Sequence, residues 1–485
     1  MVELAHRDDF FPHRILRSLF FVLPVVGFLV LVSAVTGRET ELDRYVMKPD
    51  PSYEWSLVRT VSVADAKVHL LRMTSQTWRT PEEFVPSVWT HWLTVVVPEE
   101  VRAETALLFI GGGSNDRGEP NDPPREMITA AKACKMVCAE LGMVPNQPSI
   151  FPEEGQKRWE DAIIAVTWDK FLRTGDPTWP LRLPMTKAAV RAMDTITAFC
   201  GTEEGGKHDV GTFYVAGGSK RGWTTWTTAA VDKRVIGFSP IVIDMLNLVP
   251  SFIHHWRAYG FWAPAINDYV EMRIMDWLGT PEFDALLKLV DPYSYRDRYN
   301  QPKFLINASG DQFFLPDSSQ FYWDDLPGEK YLRYVPNAGH GLDDTDALES
   351  LIAFMYSVVY DKPRPRFAWG RGDDGALVVE AEDLPDEVRL WYATNPNARD
   401  FRVDILGKVW TSVILTPEGG SNRFVGNVPM PEKGWTAYFV ELMYKDRAPA
   451  PMKFTTGVRV KPDVLPYEYQ KPDGPPPPFF PVGQN

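Results

Sequence analysis

A chain of 485 residues is too long for one compact core, so two domains with tails are expected. Its net charge of −13 argues against nucleic acid as a partner, because phosphate recognition needs a basic surface. Hydrophobic residues at 44% and charged residues at 24% are ordinary globular proportions, and 42 Pro point to many ordered surface loops.

Three cysteines, Cys134, Cys138 and Cys200, form neither a CxxC pair nor an even set, so no disulfide framework or zinc signature is expected. Cys134 and Cys138 read as small buried residues of one helix.

At the amino terminus Arg7, His13, Arg14 and Arg17 precede an apolar run, SLFFVLPVVGFLVLVSAVTG, over residues 18–37. The charged flank, the apolar stretch and the small residues at Val32-Ser33-Ala34 resemble a cleavable secretory signal. The run also approaches the roughly 20 residues that span a bilayer, so an uncleaved membrane anchor is the alternative. Either way residues 1–37 are a targeting segment, and the rest of the protein lies outside the cytoplasm.

Residues 45–94 alternate strand-like runs and turns, an antiparallel entry into a sheet. TALLFI at 105–110 is a strand buried on both faces, and it runs into Gly111-Gly112-Gly113-Ser114-Asn115. Glycines there let bare backbone N–H groups approach a substrate oxygen, as in an oxyanion loop of the HGGG type. A phosphate loop is disfavoured because no GK[ST] follows. Residues 126–141 have a helical pattern, with 142–147 as the next strand edge. Residues 158–174 and 183–200 are helices.

The stretch at 212–226, TFYVAGGSKRGWTTW, reads as a strand, a glycine-tight turn and a helix, the context of a nucleophile elbow centred on Ser219. It departs from G-x-S-x-G: Gly217 is in register, but Arg221 holds the second glycine position and Gly222 comes one residue late. The alternative is a serine that only caps the helix.

A strand over 235–243 ends at Asp244. Residues 245–300 break the strand–helix alternation and are rich in aromatics, as a helical cap would be. Adjacent His254 and His255 point about 100° apart on a helix, which disfavours a shared metal. Trp256 and Trp262 are the candidates for a substrate wall, with cap packing as the alternative. Strands at 303–309 and 330–335 follow, the first ending in Gly310-Asp311 and the second in a loop carrying His340 between Gly339 and Gly341. Ser219, Asp311 and His340 thus occur in the order of an α/β-hydrolase triad, each just past a strand. Asp244 is the rival acid. Asp317, Asp324 and Asp325 read as loop and cap residues.

Several of these stretches together, YVMKPDPSYEW, TALLFIGGGSN, GSKRGWTTW, WRAYGFWAP, DPYSYRDR, ASGDQFFLPDSSQFYWDDLPGEK and ATNPNARDFR, resemble the PhoPQ-activated pathogenicity-related proteins. The resemblance spans roughly residues 45–460 and implies an α/β-hydrolase core with a hydrolase-like site, without a substrate. Members often have Asp and Ser where this chain has Gly339 and Gly341.

Past Lys362-Pro363-Arg364-Pro365 short strand-like runs are expected to build a small antiparallel β-sandwich over 366–462, followed by a proline-rich tail at 463–485. The sandwich has no catalytic constellation of its own.

The expected fold is α/β: an α/β-hydrolase core at 45–362, with a helical cap at about 245–300, plus the C-terminal sandwich. The expected function is a secreted or membrane-anchored serine hydrolase acting on a small ester or peptide substrate through Ser219, His340 and Asp311. The amides of Lys220, Gly112 and Gly113 would hold the oxyanion. No metal or organic cofactor is called for. The alternative is a non-catalytic extracytoplasmic binding or signalling protein that keeps the fold.

Overall fold

The computed structural model describes residues 39–476 apart from 64, 122, 123 and 473. The apolar run at 18–37 and the tail beyond 476 lie outside the described residues. No helix among the described residues is long and apolar enough to cross a membrane.

A short helix, α1 (Glu41–Met47), is started by a capping box between Thr40 and Asp43. Three antiparallel strands follow: β1 (Glu54–Val63), β2 (Ala66–Thr77) and β3 (Val88–Pro98). Then come β4 (Thr105–Ile110), β5 (Cys138–Leu141) and a small hairpin of β6 (Ser149–Ile150) and β7 (Lys157–Arg158). The remaining core strands are β8 (Thr212–Gly218), β9 (Val235–Ile241), β10 (Lys303–Ala308) and β11 (Lys330–Val335).

Their order in the sheet is β1-β2-β3-β5-β4-β8-β9-β10-β11, parallel from β5 to β11. The chain leaves β4 toward β5 on one side and resumes on the other at β8. The strand order therefore reverses between β4 and β8, and the crevice at the carboxyl ends of such strands is where α/β sheets bind ligands.

Helices cover both faces: α2 (Arg125–Cys134), α3 (Glu160–Thr174), α4 (Arg182–Cys200), α5 (Lys220–Val231), the cap helices α6 (Leu248–Tyr259), α7 (Asn267–Glu271) and α8 (Pro281–Val290), and finally α9 (Ala347–Val359). The period-two alternation of β4 divides the core. Ala106, Leu108 and Ile110 join Ile196 of α4 and Trp226 of α5, whereas Leu107 joins Phe354 and Met355 of α9 on the opposite face.

The helix expected over 126–141 is two elements. It stops at Cys134 because Lys135 takes a left-handed conformation (φ 48°), and Cys138 belongs to β5. Both cysteines are buried and free, but on different elements. The strand edge expected at 142–147 is a loop. There the Asn146 side chain imitates a pairing partner, accepting from Thr90 N and donating to Thr90 O at 2.9 Å each.

Beyond the core come β12 (Phe367–Arg371), β13 (Leu377–Ala381), β14 (Glu387–Asn395), α10 (Val403–Leu406), β15 (Thr411–Ile414), β16 (Arg423–Gly426), β17 (Trp435–Tyr444), β18 (Met452–Thr455) and β19 (Arg459–Lys461). Strands β12, β13 and β16 form one small antiparallel sheet. The other C-terminal strands extend the central sheet, with β18 antiparallel to β11 through Leu332 and Thr455. An otherwise open edge of the parallel sheet at β11 is thereby covered. Leu377, Phe424, Leu390 and Val440 fill the space between the two layers and share a core with Phe304 and Phe354. The tail then crosses the cap, where Tyr467 N donates to Arg257 O at 3.1 Å and Leu465 packs on Ala258 and Tyr259.

Candidate active site

Ser219 stands between β8 and α5 with φ 57° and ψ −126°, a conformation that L-residues avoid and nucleophile elbows require. Its amide is tied to Ile241 O at 2.8 Å. The displaced glycine of the motif is explained by packing. A Cβ on Gly222 would lie 2.9 Å from both Gly217 O and Ile241 O, so the bare position the elbow needs is 222, and Arg221 is free to carry a side chain.

His340 reaches Ser219 from the loop after β11, with Nε2 at 2.8 Å from Ser219 Oγ. Its Nδ1 faces Asp311 after β10, at 3.0 and 2.9 Å from the two carboxylate oxygens. Asp311 is 3% exposed and also accepts the Phe313 amide at 2.7 Å, which sets its orientation. Gln312 Oε1 accepts the His340 amide at 2.8 Å, and the Phe313 ring lies 4.3 Å from the imidazole. The structure thus joins three side chains that the sequence holds far apart. The C-terminal region supports both loops: Val403 N donates to Gly310 O at 2.9 Å, and the Val403 side chain packs on Gly339.

Asp244, the rival acid, does not face the imidazole. It is buried and accepts hydroxyls from Tyr322 and, at 2.6 Å, from Tyr334. Burial raises its carboxyl to about 7 against the two tyrosine hydrogen bonds. Asp317 is likewise structural. It accepts from Arg399 Nη2 at 2.5 Å and lies 3.0 Å from His254 Nε2, joining the cap to the C-terminal region. His255 Nε2 accepts the Ala263 amide at 3.0 Å, so it is the unprotonated nitrogen, and burial lowers this imidazole to about 3. Neither histidine is directed at a shared ligand. No group of three or more potential metal ligands occurs among the described residues.

Around the elbow lies a charge cluster that sequence patterns did not reveal. Lys220 Nζ is 2.9 Å from Glu160 and 2.9 Å from Asp161, and Arg221 is 2.8 Å from Glu160. Burial alone would raise Glu160, but Arg221 and Lys220 bring it down to about 2. Tyr269 of the cap donates to Asp161 at 2.9 Å. Arg182, at the start of α4, donates to Lys220 O at 2.7 Å with its guanidinium over the Trp223 ring.

Ser219 opens onto a cavity of about 40 Å³ whose walls include Trp168, Arg182, Trp223, Phe252, Tyr269 and Phe313. The cap contributes Phe252, Ile266 and Tyr269 to it. Trp256 and Trp262, expected in that wall, instead pack on each other with ring centroids 5.2 Å apart, and Trp262 also packs on Phe252. Lys220 directly follows Ser219. Its backbone N–H is in the first turn of α5, where no intrahelical acceptor exists. Gly112 and Gly113 border a separate cavity of about 460 Å³ with Trp92, Glu140 and Met143, and of the two only Gly112 lies against Arg221.

Residues 42–402 match the family model described as PhoPQ-activated pathogenicity-related protein. Autocrine proliferation repressor protein A of Dictyostelium discoideum is 37% identical over 469 residues, covering 90% of this chain and 94% of that protein. Among solved structures, acetyl xylan esterase 1 from a Thermoanaerobacterium species aligns with a TM-score of 0.46 at 15% identity, over 65% of this chain and 92% of that one. A puromycin-hydrolysing peptidase of Mycobacterium tuberculosis aligns with a TM-score of 0.36 at 14% identity, over 64% of this chain and 49% of that one. These structural matches are likenesses of fold.

Proposed function

We propose that this chain, which belongs to the PhoPQ-activated pathogenicity-related protein family, is an extracytoplasmic serine hydrolase that cleaves a small ester or an amide or peptide bond. The observation that supports this reading is the continuous hydrogen-bonded path from Ser219 through His340 to Asp311, with no separation above 3.0 Å.

His340 Nε2 takes the Ser219 proton as Oγ attacks the substrate carbonyl, and Asp311 holds the imidazole in the tautomer that leaves Nε2 free. The developing oxyanion is met by the Lys220 amide, and the Gly112–Gly113 loop, whose Gly112 lies against the Arg221 guanidinium, is the candidate for a second donor. Each such donor is worth about 10²–10³ in rate. His340 then protonates the leaving group, and water repeats the cycle on the acyl-enzyme. In this reading Glu160 and Asp161 keep Lys220 and Arg221 neutralised and the elbow in place.

Wild type should turn over short-chain nitrophenyl esters, and Ser219→Ala should not. Turnover of aminoacyl amides with esters left intact would move the assignment to a peptidase. Activity retained in Ser219→Ala would overturn it.

A second reading is supported by the name of the Dictyostelium relative, an autocrine repressor of proliferation. On that reading the protein is a secreted signal that keeps the fold, and Ser219→Ala would retain the biological effect. Both readings place the protein outside the cytoplasm, free or anchored by residues 18–37. Recovery of full-length soluble protein from the cytosol would contradict both.

A further inference from the structure

Arg182 is 1% exposed and lines the cavity that holds Ser219. Its Nη1 donates to Lys220 O at 2.7 Å and lies 3.8 Å from Met185 Sδ. Its Nε is buried without a hydrogen-bond partner. The neighbouring carboxylates are already engaged: Glu160 by Lys220 and Arg221, Asp161 by Lys220 and Tyr269. Among the described residues none forms an ion pair with Arg182. A guanidinium carries five N–H donors and a charge that a dry interior tolerates poorly unless it is paired. Here one carbonyl, one thioether and the Trp223 face serve all of it. Burial lowers its affinity for the proton only to about 10, so it is a cation at neutral pH.

Apart from Lys220 and Asp161, which neutralise each other, the remaining walls of the cavity are almost entirely apolar, including Trp168, Phe252 and Phe313. With two cations and the single Asp161 carboxylate in its wall, it therefore carries a net positive charge next to Ser219, and Arg182 is the cation without an ion pair. A carboxylate is the natural complement, since it can accept two parallel N–H bonds from one guanidinium. The space, about 40 Å³, admits a short chain only. A leaving group must escape after the first step, so an enclosed pocket suits the acyl part that stays on Ser219.

We propose that Arg182 binds a terminal carboxylate on the substrate's acyl group, so that the preferred substrates are half-esters of short dicarboxylic acids. This rests on the serine hydrolase reading above. Ser219 Oγ bonds to the ester carbonyl carbon, the ester C–O bond breaks, and the alcohol leaves with the proton His340 took from Ser219. Water then cleaves the acyl-enzyme, returning the proton to Ser219 and releasing the dicarboxylate. The second carboxylate is unchanged throughout.

The full chain is assayed with 4-nitrophenyl hemisuccinate and with the uncharged 4-nitrophenyl butyrate of equal chain length. Wild type should favour the hemisuccinate in kcat/KM by at least about tenfold, the scale of a hydrogen bond to a charged group. In Arg182→Gln that ratio should fall toward one, whereas a merely structural role for Arg182 lowers both esters alike and leaves the ratio in place. Should the variant not fold, succinate should slow fluorophosphonate labelling of wild-type Ser219 and 1,4-butanediol should not. A wild-type ratio of one or less, a ratio kept in Arg182→Gln, or equal protection by succinate and the diol overturns the proposal. Labelling of Ser219 with no preference between esters defeats this inference alone. Absence of labelling defeats the hydrolase reading with it.

Discussion

A Cβ on Gly112 would come within 2.8 Å of Arg221 Nη2. The same guanidinium donates to Val144 O at 2.5 Å and to Glu160 at 2.8 Å, so Arg221 fastens the elbow helix to the loop after β5 and to α3 while lying against the bare Gly112. The arginine found where the motif usually has glycine thus braces the elbow helix against Val144 and Glu160 and leaves room at Gly112 only for a bare Cα. Gly112→Ala should push that side chain aside and lower kcat by about 10², the loss of one oxyanion donor. The denaturation midpoint should stay within a few degrees. Full activity in this variant would remove the glycine loop from the mechanism.

The two candidate acids separate cleanly. Asp311 lies within 3.0 Å of His340 Nδ1, whereas Asp244 is held by two tyrosines. Asp311→Asn should cut turnover by about 10⁴ through the wrong imidazole tautomer, with the fold intact. Asp244→Asn should cost far less than that. Equal losses in single-turnover rates would show that the tyrosine-bound carboxylate also matters to the chemistry.

Asp244 should also leave a signature in stability. Its folded-state value of about 7 lies above the ordinary 3.8, so the native state holds a proton that the unfolded state has lost between those pH values. Its contribution is then most favourable below about pH 4 and is lost as pH rises toward 7, with a slope of at most about 1.4 kcal/mol per pH unit. The stability of Asp244→Asn relative to wild type should therefore improve steadily from pH 4 to pH 7. Denaturant melts of both proteins across that range measure the difference, and a flat difference would mean that Asp244 is ionised throughout.

The legible parts of this chain were those where local pattern and site coincide. Ser219, Asp311 and His340 each follow a short apolar strand at a glycine, and that punctuation is visible without any structure. Arg182 was not legible, because the first residue of an amphipathic helix gives no sign that its side chain turns inward beneath Trp223. The join between β11 and β18 was equally hidden, since pairing between residues 332 and 455 leaves no local periodicity. The boundary between α2 and β5 was missed because apolar residues continue through Lys135, and only its left-handed backbone marks the break.

Trp256 and Trp262 are half-buried partners of each other rather than walls of the Ser219 cavity. Replacing either with Ala should cost about 3 kcal/mol or less of stability by loss of packing. The ranking among ester substrates should not move. Phe313→Ala, at the cavity and against His340, should change that ranking. Kinetics on a chain-length series of nitrophenyl esters, alongside thermal melts, distinguishes the two classes of residue, and a reranking by Trp256→Ala would place that indole at the substrate.

Covalent labelling reads out directly whether Ser219 is a nucleophile activated by His340. Purified full-length protein is treated with a fluorophosphonate and the modified residue is located by mass spectrometry. Wild type should carry one adduct, on Ser219. Ser219→Ala should carry none, and His340→Ala should react at least about 10²-fold more slowly, the range lost with a general base. An adduct on a different serine, or undiminished labelling of Ser219 without His340, would show that Ser219 is not a nucleophile activated by His340.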